Sequence, residues 1–210
     1  MFSVGIHVLD PAAPVTIGAM IGPEAFTEVK YLAAVQQLCA LDAVLVVEAF
    51  ARATGRTSGG LVSAYRMEDA VTAVVAMGSV PGSVRDAVDQ LRDEDVRIGV
   101  VGISCYRPWP LDEVRKALSG LERVIVLNGA FALGSGTMLG QDVRLTLGAS
   151  DTAVHDVVAG LRGRPVTRGS VRTLLDAVLA GEVDPDRVYF LDLDQALLAR
   201  ELALSRPQES

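Results

Sequence analysis

Residues 71–104 read VTAVVAMGSVPGSVRDAVDQLRDEDVRIGVVGIS, and this stretch decides the fold. Val71 to Met77 is a short apolar run rich in β-branched residues, closed by Gly78-Ser79. It reads as a strand buried on both faces. After the loop Gly78-Ser79-Val80-Pro81-Gly82-Ser83, Ser83 is expected to cap a helix running to about Glu94. Val84, Ala87, Val88 and Leu91 recur there at three- and four-residue spacing and form its inner stripe. Arg97 to Ser104 is a second strand. Two buried strands joined by an amphipathic helix imply parallel pairing, because a crossover of that length returns the chain in the same direction.

The same alternation continues downstream. Leu111 to Ser119 is expected to be helical after a Pro-rich turn, Arg123 to Leu127 (RVIVL) a third strand, and Asn128 to Ser135 a loop. Thr137 to Leu147 is read as a helix with Met138, Val143 and Leu147 inward. Val154 to Ala159 is a fourth strand, and Thr167 to Ala180 a helix burying Val171, Leu174, Leu175, Val178 and Leu179. Val188 to Leu191 is a short extended segment. A last helix is expected to about Ser205, with a frayed tail over 206–210. Upstream, residues 1–23 read as an extended arm, and Glu24 to Thr54 as one long helix or two with a break near Leu41 and Asp42. Gly55 is a plausible stop, and Thr57 to Gly60 a loop. The fold class is therefore α/β, a doubly wound, mostly parallel sheet with an N-terminal helical linker. The expected domains are an arm and linker over 1–60 and an α/β domain over 61–210.

Composition narrows the function. Half of the 210 residues are apolar but only 5% are aromatic, so the core must be packed from Val, Leu and Ala. The net charge of −7 argues against generic nucleic-acid binding and against a polybasic membrane anchor, both of which need clustered Lys and Arg. No apolar run reaches the roughly 18 residues of a membrane helix. No signal-peptide pattern opens the chain, so none is expected. Cys39 and Cys105 fit no disulfide, zinc or iron–sulfur spacing, and a reducing cytoplasm is the expected compartment.

Several local patterns are candidates for chemistry. Gly134, Gly136 and Gly140 follow a strand and precede a helix, the setting of a phosphate site. Their G-x-G-x-x-x-G spacing is one residue longer than the dinucleotide fingerprint, so they read either as an anion site or as a tight strand-to-helix loop. Gly78 and Ser79 form the equivalent loop after the first strand, with Arg85 as the nearest basic residue. Tyr106-Arg107-Pro108-Trp109-Pro110 is the most distinctive string. Its two prolines hold Arg107 and Trp109 rigidly, which suits either a partner interface or a cap on the sheet's own core. His7 and His155 have no triad partners nearby in sequence, and His155 with Asp156 reads as a structural pair. Ser58, Ser79 and Ser135 lie on Gly-rich loops outside any G-x-S-x-G elbow. Glu68-Asp69 and Asp192-Leu193-Asp194 read as solvated or capping carboxylates. No catalytic residue and no metal ligand is assigned.

Tyr65-Arg66-Met67-Glu68-Asp69-Ala70 followed by Val74-Val75-Ala76-Met77-Gly78-Ser79 resembles a segment of 2-oxoacid:ferredoxin oxidoreductase alpha chains, the pyruvate:ferredoxin oxidoreductase family. Gly99 to Ile103 with Arg107-Pro108-Trp109-Pro110 is similar to that family's next strand and its R-P-F-P turn. Arg123 to Leu127 matches the following strand. Gly160-Leu161-Arg162-Gly163-Arg164-Pro165-Val166-Thr167 is similar to its G-L-G-G-R-x-V/I-T segment. Gly55-Arg56 and Ser58-Gly59-Gly60 fit the loop after its connecting helices. Asn128, Trp109 and Arg162 depart from the family pattern, which often has an acid, Phe and Gly there.

The resemblance implies a transketolase C-terminal-like domain and a part in a complex that oxidises pyruvate or another 2-oxoacid to acyl-CoA, CO2 and reduced ferredoxin. It implies that this chain starts near the end of the alpha chain's first domain, so that the thiamine-activating glutamate lies upstream. Thiamine diphosphate, Mg2+, iron–sulfur clusters and CoA are then expected on partner subunits and none on this chain. The expected partners are a thiamine-binding beta-type subunit and other oxidoreductase subunits, or a second copy, with no nucleic acid and no membrane. The alternative is a free-standing α/β domain that binds a small molecule or nucleotide at the Gly78 and Gly134 loops.

Overall fold

The computed structural model describes residues 21–40, 44–56 and 60–204. The chain divides into two compact units, Met1–Asp42 and Ala43–Ser210. Residues 1–20 of the expected arm, with His7, residues 57–59 of the expected loop, with Ser58, and the tail at 206–210 lie outside the described residues.

In the first unit, helix α1 spans Pro23–Cys39, with extended Gly22 before it and Pro23 in its first turn. Proline suits that position because its missing N–H would have no partner there anyway. No residue of α1 is buried. The second unit begins with α2 (Val44–Thr54). The break expected near Leu41 and Asp42 thus falls between the two helices, and residues 41–43 are outside the described set.

The body of the second unit is a six-stranded sheet in the order β1-β3-β2-β4-β5-β6. Its strands are β1 (Val62–Tyr65), β2 (Thr72–Met77), β3 (Ile98–Ile103), β4 (Arg123–Asn128), β5 (Ala153–Val158) and β6 (Tyr189–Phe190). The helices are α3 (Val80–Arg92), α4 (Leu111–Leu118), α5 (Met138–Leu147), α6 (Arg168–Leu179) and α7 (Gln195–Leu204). β2 to β6 pair in parallel, with Thr72 opposite Ile98 on one side and Arg123 on the other. β1 alone is antiparallel, Val62 facing Ile103 and Tyr65 facing Val100.

Successive strand residues point to opposite faces, so each strand feeds two cores. Val74, Ala76, Val100, Ile125 and Val157 pack with Val84, Val88 and Leu91 of α3 and Val171, Leu174 and Leu175 of α6. Ala73, Val75, Val101, Val124 and Val126 pack on the other face with Val114 and Leu118 of α4 and Leu139 and Val143 of α5. Each fully buried Val or Leu contributes about 1.5–3 kcal/mol. An exposed ion pair such as Arg115–Asp112 contributes at most about 1 kcal/mol, so two-sided packing holds this sheet together. Tyr106 and Trp109 pack against the second core only partly buried, and among the described residues the buried core contains no aromatic side chain.

Three local expectations are corrected. β1 is an added edge strand within residues to which no element was assigned. It is four residues long and nowhere fully buried, so its identity comes from pairing with β3 rather than from its own pattern. Helix α3 starts at Val80 instead of Ser83, with Ser79 at the cap position and Pro81 in its first turn. The inner stripe Val84, Ala87, Val88 and Leu91 is as read. In α5, Met138 is 52% exposed, and Leu139, Gly140, Val143 and Thr146 are the buried residues. No helix among the described residues is long and apolar enough to cross a membrane.

Candidate functional site

Because β2 to β6 run parallel, their carboxyl ends share one edge, where ligands of open α/β sheets gather. The Gly78-Ser79 loop, the turn at 104–110, the loop at 129–137 and the segment at 159–167 all emerge there.

The turn after β3 is stapled to α5. Tyr106 donates its hydroxyl to Asp142 Oδ2 at 2.8 Å, and Arg107 Nη2 reaches the same oxygen at 2.8 Å. The Arg107 guanidinium stacks 4.0 Å from the centre of the Tyr106 ring, and Trp109 meets that ring edge-on at 5.9 Å. Trp109 Nε1 donates to Thr146 Oγ1 at 2.8 Å, and the Thr146 hydroxyl donates in turn to the Asp142 carbonyl at 2.7 Å. Burial, then the hydrogen bond to Asp142, holds the Tyr106 phenol above its ordinary pKa. The turn therefore anchors Trp109 inside while Arg107 stays exposed at the surface. Asp142 and Thr146, one helical turn apart on α5, complete this arrangement. Nothing in their sequence neighbourhood links them to a turn more than 30 residues upstream.

A second polar knot joins β4, β5 and the start of α5. Asn128, 3% exposed, is the last residue of β4. Its amide donates to the Val126 carbonyl at 3.0 Å and lies 3.4 Å from Asp156 Oδ1, while its oxygen accepts the Gly140 N–H at 3.2 Å. Asp156 also accepts from Thr137 Oγ1 at 2.8 Å and from Arg144 Nε at 3.2 Å. An aspartate at 128 would set acceptor against acceptor here, which accounts for the departure from an acidic residue. Gly134 and Gly136 both take positive φ in a small closed turn, where Ala132 and Gly136 exchange backbone bonds at 2.8 and 2.7 Å. Gly140 lies inside α5, so the three glycines do not line one site: two shape a turn and the third packs the helix against β5.

At Gly78 the edge opens into a cavity of about 350 Å³, lined by Ser63, Gly78, Gly82, Arg85, Gly102 and Ser104. Ser79, beside it, accepts the Gly82 N–H at 3.2 Å through its carbonyl. A smaller pocket of about 50 Å³ lies between Met77, Tyr106, Asn128 and Leu139.

His155 and Asp156 do not pair. As neighbours on a strand they face opposite layers, Asp156 toward α5 and His155 toward the α6 side. His155 is 5% exposed, with its Nδ1 enclosed and unpartnered. Burial first, then Arg123 and Arg144, lowers its pKa. Asp69 pairs with Arg92 at 2.7 Å, and Asp194 Oδ1 accepts the Leu197 N–H at 2.9 Å as a cap on α7. Cys39 and Cys105 are free thiols.

Comparison with known proteins places this geometry. Residues 70–171 match the family model "Pyruvate:ferredoxin oxidoreductase core domain II". The pyruvate synthase subunit PorA of Methanosarcina barkeri is 35% identical over 129 residues, covering 61% of this chain and 32% of the relative. That of Methanothermobacter thermautotrophicus is 30% identical over 171 residues, covering 80% and 43%. The alpha subunit of NADH-dependent phenylglyoxylate dehydrogenase from Aromatoleum evansii is 29% identical over 205 residues, covering 90% and 49%. Among solved structures, 2-oxoglutarate:ferredoxin oxidoreductase from Magnetococcus marinus matches 55% of this chain and 19% of its own, at 18% identity and a TM-score of 0.43. The chain spans between about a third and a half of the length of these curated relatives. Residues 70–171 carry the core domain II of the pyruvate:ferredoxin oxidoreductase family, and over most of its length the chain is similar to the alpha-type subunits of such enzymes.

Proposed function

We propose that this chain is a structural and assembly component of a 2-oxoacid:ferredoxin oxidoreductase complex, acting on pyruvate and yielding acyl-CoA, CO2 and reduced ferredoxin. The observation that carries this reading is the match of the α/β core at residues 70–171 to the family's core domain II, together with alignment to subunits named pyruvate synthase. Residues 1–60 would serve as the linker and 61–210 as the supporting α/β domain. Thiamine diphosphate, Mg2+, the iron–sulfur clusters and CoA would reside on partner subunits. The turn at Tyr106, Arg107 and Trp109 would be the contact to a thiamine-binding beta-type subunit, since it is held rigidly from within and leaves the guanidinium outside.

Co-expression with a thiamine-binding subunit tests this. The expected result is co-elution of the two chains, and pyruvate- and CoA-dependent ferredoxin reduction that needs the complex. The pure chain is expected to show no thiamine-dependent turnover. A chain that stays apart from every such subunit, or that turns over pyruvate alone, would overturn the reading.

A further inference from the structure

The cavity at Gly78 has a chemistry that the assembly role does not use. It lies on the α3 side of the sheet, at the carboxyl ends of β2 and β3, where Ser63 of the edge strand faces Gly102. Its lining contributes the Ser104 hydroxyl, the Ser63 hydroxyl, which donates to the Gly102 carbonyl at 3.4 Å, one guanidinium, Arg85, and no carboxylate. Arg85 is half-buried and stacks 5.1 Å from the centre of the Tyr65 ring, with its Nε enclosed and lacking an acceptor. Asp89, the acid bonded to that tyrosine, is already engaged. It accepts the Tyr65 hydroxyl at 2.9 and 2.8 Å and pairs with Arg66 at 2.8 Å. Arg85 thus enters no ion pair among the described residues. A Cβ placed on Gly78 or Gly82 would meet nothing within 4 Å, so the backbone there borders open space.

A half-buried guanidinium without a counter-charge, beside a hydroxyl and bare backbone, is a setting for an oxyanion. We propose that this cavity binds the phosphate group of a small molecule, with Arg85 as its charge partner and Ser104 as hydroxyl donor. At about 350 Å³ the space is at the small end of ligand pockets, larger than a lone phosphate needs and suited to a compact phosphate ester. The site stands independently of whether the chain assembles with partners.

Calorimetry on the full chain with inorganic phosphate, pyrophosphate and glycerol 3-phosphate tests the proposal and separates a free ion from an ester. Saturable millimolar binding to at least one probe is expected, weakened at least about tenfold in Arg85→Gln, partly retained in Arg85→Lys, and unchanged in Arg187→Gln, which lies outside the cavity. Ser104→Ala, a change at an exposed position, is expected to weaken binding without altering the fold, and it carries the test if Arg85→Gln fails to fold. Binding to none of the three probes, or equal binding in every folded variant of Arg85 and Ser104, would overturn the site.

Discussion

The carboxylate of Asp156 on β5 stands where a side chain on Gly140 of α5 would begin: a Cβ there would fall 1.6 Å from Asp156 Oδ1 and 2.5 Å from Thr137 Oγ1. Helix and strand approach this closely because Asn128, Thr137 and Arg144 gather their hydrogen bonds at the same point. The last glycine of the G-x-G-x-x-x-G run is therefore needed for packing rather than for ligand contact.

Gly140→Ala is expected to destabilise the chain by about 3 kcal/mol, since the intruding methyl must displace a bonded carboxylate. Urea unfolding followed by circular dichroism measures this. A loss below about 1 kcal/mol would mean that the carboxylate can move aside at little cost.

Asp156→Ala removes the acceptor shared by Thr137 and Arg144 and leaves the buried Thr137 hydroxyl without a partner. The expected loss is about 2 kcal/mol, kept modest because the Arg144 side chain is 41% exposed and can turn to water. Asp156→Asn, which keeps the shape, should lose less. Equal losses in the two variants would show that shape contributes nothing here.

Trp109→Phe keeps an aromatic ring in place but deprives Thr146 of its donor, for an expected loss of about 1 kcal/mol. Trp109→Ala adds a cavity and is expected to cost about 3 kcal/mol. Asp142→Asn should loosen the same turn and shift the fluorescence of Trp109, the only tryptophan. An unchanged spectrum would count against the bonds of Tyr106 and Arg107 to Asp142.

His155 sets a pH dependence. Its native pKa is held down by burial first and by Arg123 and Arg144 next, so the unfolded chain takes up this proton more readily than the native one. Stability contributed by the neutral ring is intact above about pH 6.5, the ordinary histidine value, and declines as the pH falls below it. The decline continues until native His155 itself protonates. Melting temperatures at pH 7.5 and 5.5 should converge in His155→Gln. A gap as wide as in the parent would assign the effect to other groups.

Much of the α/β body was legible because strands buried on both faces and amphipathic helices carry their own periodicities. Val71 to Met77, Arg97 to Ser104, Arg123 to Leu127 and Val154 to Ala159 each appear within a residue or so of the observed strand. The family motifs at 65–79 and 107–110 carried the identity of the domain. What escaped were features made by partners distant in the chain. β1 exists as a strand because β3 offers it an edge, and the outward turn of Met138 follows from Asn128 and Asp156 fixing Gly140 two positions on. Asp142 and Thr146 hold the Trp109 turn from a helix more than 30 residues away, and local spacing cannot signal such a bond.

The sequence by itself determined the alternating layers, the parallel direction of the main strands and the inner stripes of the helices, because hydrophobic periodicity is a local property of a chain in water. The tertiary structure alone decided which polar groups meet: Asp156 with Arg144 and not with His155, Trp109 with Thr146, and Arg85 with an open cavity and no acid among the described residues. Hydrogen bonds and ion pairs act over a few ångströms in space, and only the packed sheet brings residues tens of positions apart within that reach.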